Sequence, residues 1–292
     1  MLRLAEGYWI GSFQAMASPC QVLMEVDDRR EAERILAVVA EETWRIETKY
    51  SRYLPDSIVQ RINQSAGHSV EVDDETARLL DYATRLHQLS DGKFDVTSGV
   101  LRRVWRFDGS DRLPTEQAVQ DVQRHVGWPR VRWDGRRIEL QPAMELDFGG
   151  LGKEYAADRA AGRIVESCEG SCLVNLGGDL IVTRPRRGLE PWRVGIEKPD
   201  AAVPVATRQI RLTAGGLATS GDAKRFLLRD GVRYGHILDP ITGWPVRDAP
   251  RSVTVAAGTC LDAGMLATLG MLHGADAETF LEAQNVRHWV LR

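Results

Sequence analysis

The stretch "MELDFGGLGKEYAADRAAGRIVESC", residues 144–168, reads as a strand running into a glycine-rich turn and then a long helix. Directly after it, "SCLVNLGGDLIVT" (171–183) reads as strand, glycine turn, strand. A helix followed at once by a hairpin does not fit a simple repeating strand-helix-strand register. The expected fold class is therefore α+β, with mixed, largely antiparallel sheets and packed helices.

Working outward, "YWIGSFQAMASPCQVLMEV" (8–26) predicts two strands meeting around a turn that contains Pro19. In "DDRREAERILAVVAEETWRIETKYS" (27–51) the apolar residues Ile35, Val38, Val39, Trp44 and Ile46, with acids near the start and Lys49 near the end, predict a helix. A second helix is expected in "DDETARLLDYATRLHQLSDG" (73–92), with Asp73 or Asp74 capping its start and Gly92 ending it. Between them, a short element is broken by Pro55 and closed by Asn63 and Gly67. A hairpin is expected at Asp134-Gly135, then further strands at 192–196, 207–212, 225–228 and 252–256, and a closing helix from about 260 to 273.

The chain has 292 residues, 38 Lys and Arg against 41 Asp and Glu, a net charge of -3 and 43% hydrophobic residues. This is an ordinary globular composition. Nothing in it calls for a nucleic-acid backbone, and the nearest basic cluster, "RPRRG" at 184–188, reads as a turn. Length fits one domain over 1–292, either a single body or two closely packed lobes, since no repeat or long linker divides it. Cys20, Cys168, Cys172 and Cys260 show no CxxC spacing, which suits a reducing compartment. Glu6 and polar neighbours interrupt any secretory apolar run, and Asp262 and several glycines interrupt the apolar segment near 253–274. The expectation is a cytoplasmic protein without a membrane span; composition leaves the oligomeric state open.

Four segments carry candidate chemistry. In "DFGGLGKE", Asp147, Gly149, Gly150, Gly152 and Lys153 stand between a predicted strand and helix, where backbone amides, the helix N-terminus and a lysine can meet an anion. The alternative is a tight turn with a surface lysine. In "VNLGGDLIV", Asn175, Gly177, Gly178 and Asp179 form either a ligand-facing loop or a plain β-turn. In "RYGHILDPITGWPV" (233–246), His236 stands at a predicted strand end, followed by a turn from Asp239-Pro240 to Thr242-Gly243. Its prolines restrict the loop, and the imidazole is either a base or a satisfied loop histidine. Upstream, Thr219, Ser220, Gly221 and Asp222 read as another small polar turn of the kind that can surround a ligand, with Thr219, Ser220 and Gly221 as candidate cofactor-binding residues. Thr268 lies in the apolar body of the last helix, with Thr259 as its expected N-cap, so its hydroxyl bonds either to the preceding turn or outside the helix.

Taken together these segments resemble the ApbE family, the FAD:protein FMN transferases. The matching pieces are "MASPC" (16–20), "SRYLPDSIVQRIN" (51–63), "GKFDVTSG" (92–99), "LDFGGLGKEYAAD" (146–158), "LVNLGGDL" (173–180), "ATSGDAKRF" (218–226), "GHILDPITGWPV" (235–246) and "SVTVAAGTCLDAGMLATLGMLHG" (252–274). The resemblance implies a flavin-binding cleft in an α+β fold, with FAD and Mg2+ as cofactors. It further implies transfer of FMN from FAD to a threonine or serine hydroxyl of a target flavoprotein bearing a threonine-containing acceptor motif, with release of AMP. By the same resemblance His236 looks like the cleft histidine, with Asp239, Thr242 and Gly243 shaping its loop. Gly152 stands where a backbone carbonyl meets the metal, and Thr268 where a threonine ligates it. Asn175, Gly177, Gly178 and Asp179 resemble the loop around the dinucleotide, as do Ser57 and Asn63.

Two residues depart from the pattern. Where the family commonly has aspartate four residues before the metal threonine, this chain has Gly264; and Glu154 stands where glycine usually follows the lysine. Asp262 is one candidate to replace the missing carboxylate, although six positions place it about 120° around an ideal helix from Thr268. Glu154 is the rival. The expectation is that Asp262 matters more. Alternatives to transfer are a non-catalytic FAD-binding protein and an FAD pyrophosphatase that yields FMN and AMP.

Overall fold

The computed structural model describes residues 1–197, 206–222 and 225–292. Strands β1 (Leu2–Ala5), β2 (Tyr8–Ala15) and β3 (Ser18–Glu25) form an antiparallel meander. The turn between β2 and β3 is Met16-Ala17, both at positive φ, and not Pro19, which lies inside β3 opposite Gln14. Two residues with φ near +50° match the twist of a two-residue hairpin, so the reversal falls one step earlier than proline suggests.

Helix α1 (Arg29–Tyr50) begins where the Asp28 carboxylate accepts from Arg30 N, and it buries Ile35, Val39, Ile46 and Tyr50. Each large side chain so buried contributes about 1.5–3 kcal/mol of transfer free energy. The short α2 (Ile58–Asn63) is capped by Ser57, β4 is Val70–Glu71, and α3 (Asp74–Leu89) is capped by Asp73. Gly92, at φ 79°, closes α3 by donating its amide to His87 O. A 3-10 segment (96–103) leads to α4 (Glu116–Gln123) and the small hairpin β5 (Arg132–Trp133) and β6 (Arg137–Glu139).

The expected strand ahead of "DFGG" is not formed. Asn63 takes the place of a neighbouring strand there: its side chain donates to Leu146 O at 3.0 Å and accepts from Leu146 N at 2.6 Å, while Asp147 N donates to Val96 O. The backbone is satisfied without a ladder.

Helix α5 (Gly152–Val165) and strands β7 (Ser171–Leu176) and β8 (Asp179–Val182) follow as read from the sequence. Next come the pair β9 (Trp192–Glu197) and β10 (Ala206–Leu212), then β11 (Gly215–Gly221), and a hairpin of β12 (Phe226–Arg229) and β13 (Val232–Gly235). β14 (Ser252–Ala257) precedes α6 (Cys260–Leu272), which Thr259 caps as expected. The chain does not close on that helix: α7 (Ala277–Ala283) and β15 (Arg287–Leu291) come after it.

Eight strands make one antiparallel sheet in the order β1-β2-β3-β7-β8-β11-β14-β15. Alternation divides its faces. Cys172, Val174, Leu176, Ile181 and Ala218 pack toward α1, α5 and α6, whereas Leu173, Leu180, Val182 and Leu217 pack with Trp192, Ile196, Ile210 and Leu212 of the β9–β10 pair. α6 is apolar on nearly every side because sheet, α5 and α7 all contact it. No helix among the described residues is long and apolar enough to cross a membrane.

Candidate active site

The chemistry collects where the N-terminus of α5 meets β8, β11 and α6. Leu151, the N-cap of α5, offers no side-chain cap, and Gly152 N donates to Phe148 O. Lys153 leaves this turn and forms an ion pair with Asp179 at 3.0 Å. Asp179 is only 4% exposed, and burial raises its carboxyl even though Lys153 pulls it down. Burial works against the Lys153 ammonium too, but the charges of Asp179 and Glu154 outweigh it and hold the lysine above its ordinary value. Glu154, 7% exposed, has a buried Oε2 with no hydrogen-bond partner. Burial first, and Asp179 next, push its carboxyl well above the carboxylate range.

β11 is the strand that the sequence presented as a polar turn. Alternation sends Ser220 toward α6, where its hydroxyl meets Thr268 Oγ1 at 2.8 Å, and sends Thr219 to the opposite face, where it meets Thr254 Oγ1 at 2.8 Å. Gly221 closes against β14, since a Cβ there would stand 2.7 Å from Arg251 O. Ala223 and Lys224 of "ATSGDAKRF" lie outside the described residues. Asp222, which composition alone did not set apart, accepts from Arg233 Nε and Arg251 Nε, each at 2.8 Å. That clamp anchors the β12–β13 hairpin to the main sheet.

His236 follows β13 directly. Its Nδ1 is buried without a partner, and its ring meets Phe107 edge-on at 6.3 Å. Burial, and then the positive charge of Arg225, push the imidazole below its ordinary value, with Lys153 acting in the same direction and Asp222 against them. The ring is a neutral proton acceptor at pH 7. The rest of the motif builds the loop: Asp239 Oδ1 accepts from Ile241 N, Thr242 Oγ1 accepts from Trp244 N, and Gly243 O accepts from Trp105 Nε1. Rigid polarity here holds the turn on α4 and Trp105.

Other residues singled out from the sequence have structural partners. Ser57 caps α2, Asn63 brackets Leu146, and Asn175 Oδ1 accepts from Gly178 N in the hairpin turn. Gly177, at φ 68°, packs against Ser18, where a Cβ would lie 2.8 Å away, which explains why "MASPC" and "NLGGD" occur together. Asp147 pairs with Arg52 at 2.6 Å and accepts from Gly149 N, with Gly149 and Gly150 exposed beside it. Asp262 is exposed and engaged with Tyr82 and Thr259, away from the Ser220–Thr268 contact. The helix does start at Cys260, so the 120° offset anticipated from spacing holds. Asp158, one turn after Glu154, was not foreseen: its carboxylate accepts from Cys260 N and Leu261 N and locks α5 to the start of α6. Among the described residues, no group of three or more His, Cys, Asp or Glu is arranged to hold a metal.

By fold and site this is an α+β protein in which buried carboxylates, a lysine and paired hydroxyls gather where α5 and α6 cover the main sheet, with a neutral histidine directly after β13. The model of the ApbE family matches residues 16–290, and the chain belongs to that family. It is 30% identical over 236 residues to the FAD:protein FMN transferase of Vibrio cholerae, covering 79% of this chain and 71% of that protein. With the FAD:protein FMN transferase of Klebsiella pneumoniae it shares 29% identity, covering 87% and 79%. Among solved structures, the ApbE protein of Thermotoga maritima superposes with a TM-score of 0.87 at 31% identity, covering 97% of this chain and 94% of that one. The flavinyl transferase ApbE of Pseudomonas stutzeri gives 0.83 at 26%, covering 98% and 92%.

Proposed function

We propose that this chain transfers the FMN half of FAD to a threonine or serine hydroxyl of a target flavoprotein and releases AMP. The observation that supports this most directly is the pairing of a neutral, unpartnered His236 Nδ1 with the cationic Lys153 and the uncapped start of α5. Lys153 and the α5 amides bind the pyrophosphate. The acceptor hydroxyl oxygen attacks the FMN-side phosphorus, the bond from that phosphorus to the bridging oxygen breaks, and the electron pair leaves with AMP. The hydroxyl proton passes to His236 Nδ1. Asp239, Thr242 and Gly243 keep the imidazole in place through the loop they build.

The residues present fit a hard divalent cation such as Mg2+. Glu154 Oε2 is a buried carboxyl oxygen without a partner, and the Ser220 and Thr268 hydroxyls meet each other on the α6 side of the same site. The Thr268 hydroxyl, the Gly152 carbonyl and a carboxylate would hold the cation. When bound it neutralises pyrophosphate oxygens and the charge that develops on the leaving phosphate. The experiment is incubation with FAD, Mg2+ and a threonine-containing acceptor protein, followed by AMP quantification and mass analysis of the acceptor. Covalent FMN with equimolar AMP is expected. AMP without acceptor labelling would show hydrolysis instead, and FAD binding with neither product would show a carrier.

A further inference from the structure

The backbone of α6 at Gly264 is covered by a side chain from another helix. A Cβ built on Gly264 would stand 2.5 Å from Glu154 Cγ, 2.9 Å from Oε1 and 3.1 Å from Cδ. Thus the Glu154 carboxylate of α5 already occupies the space that a side chain at position 264 would take. The two helices run in opposite senses along this seam, because Asp158 meets residues 260 and 261 while Glu154, one turn earlier, meets residue 264. Thr268 lies one turn further along α6 on the same face as Gly264, about 6 Å along the axis. Glu154 therefore delivers its carboxylate one helical turn from the Thr268 hydroxyl, which Ser220 orients from the sheet.

A buried carboxylate with an unpartnered oxygen beside a second buried carboxylate, Asp179, is costly unless something neutralises it. Lys153 is engaged with Asp179. Glu154 Oε2 is left without a partner. Asp262, the other candidate, points to Tyr82 on a different side of α6. We propose that Glu154, reaching from α5 into the space above Gly264, supplies the carboxylate that holds the divalent cation in this chain, with Thr268 as its neutral oxygen partner. Residues 154 and 264 then form a reciprocal pair in which only one can carry a side chain. This rests on reading the site as a cation-assisted flavin transferase.

The test is Mn2+ binding to the full chain, followed by electron paramagnetic resonance with Mg2+ as competitor, for the parent, E154Q, E154G, D262N and the double variant E154G/G264D. FAD affinity and melting temperature are recorded beside it. E154Q and E154G are expected to weaken Mn2+ binding by roughly tenfold or more, since a hard cation depends on anionic oxygen. D262N is expected to match the parent. In the double variant the carboxylate returns from the α6 side into the volume that Glu154 vacated, and affinity is expected to recover to within about threefold of the parent. Parental affinity in a folded E154Q overturns the proposal, as does loss in D262N, a parent that binds no Mn2+, or a folded double variant no better than E154G. A parent that binds Mn2+ through Glu154 yet labels no acceptor refutes the transfer reaction and leaves the Glu154 assignment standing.

Discussion

Replacing Asp222 with alanine removes the acceptor of two guanidinium hydrogen bonds, from Arg233 Nε and Arg251 Nε, each at 2.8 Å. A hydrogen bond to a charged group contributes about 1.5–3 kcal/mol when water is excluded. Asp222 is 8% exposed but both arginine side chains are 23% exposed and keep other interactions, so solvent recovers part of the loss. We expect D222A to cost about 2–3 kcal/mol and to lower the melting temperature of this 292-residue chain by roughly 3–5 °C. D222N, which keeps one acceptor oxygen, should lose about half as much. Urea unfolding is the assay, and the midpoint should fall at constant slope. The loss also falls on the loop that carries His236, because Arg233 is in β13 immediately before it. Hydrogen exchange in β12 and β13 should rise more than in β7. A D222A protein within about 0.5 kcal/mol of the parent, with unchanged exchange at β13, would mean that the hairpin is held by its apolar contacts and the clamp is incidental.

Three further outcomes are expected. H236A should slow FMN transfer by about two to four powers of ten while FAD affinity changes little, and a variant with near-normal turnover would remove the imidazole from the reaction. Because the His236 pKa is lowered in the folded state, its neutral form persists as pH falls to histidine's ordinary range. Transfer at saturating substrate should then decline only below that range, and the stability this burial leaves intact is full above the unfolded pKa and lost as pH drops through the folded one; H236Q, measured by pH-dependent urea unfolding, should flatten that part of the profile. N63A strands the buried N–H and C=O of Leu146 and should cost about 2–4 kcal/mol in urea unfolding; a change below about 0.5 kcal/mol would show that water replaces the amide.

Local signals carried far in this chain. The caps of α3 and α6 were legible because Asp73 and Thr259 each precede an apolar helical run, and a helix start needs only its own first turn to be satisfied. The Asp134-Gly135 and Gly177-Gly178 hairpins were legible for the same reason, since positive φ at the turn is a requirement of neighbouring residues alone. The ordered series of eight motifs identified the family, which the comparisons bear out.

What needed the tertiary structure was every decision in which a distant segment supplies the partner. Residues 144–148 carry a strand's apolar pattern, yet they do not join a ladder because Asn63, more than eighty positions away, satisfies Leu146. "ATSGD" looks like a turn by composition, but pairing with β14 carries residues 218–221 on as strand from the segment that β8 flanks at 215–217, and the two-residue period of that strand separates Thr219 from Ser220. Gly264 and Glu154 were visible as two separate oddities. Only the crossing of α5 over α6 shows that one fills the space of the other, because side-chain volume is shared in three dimensions and sequence separation does not record it.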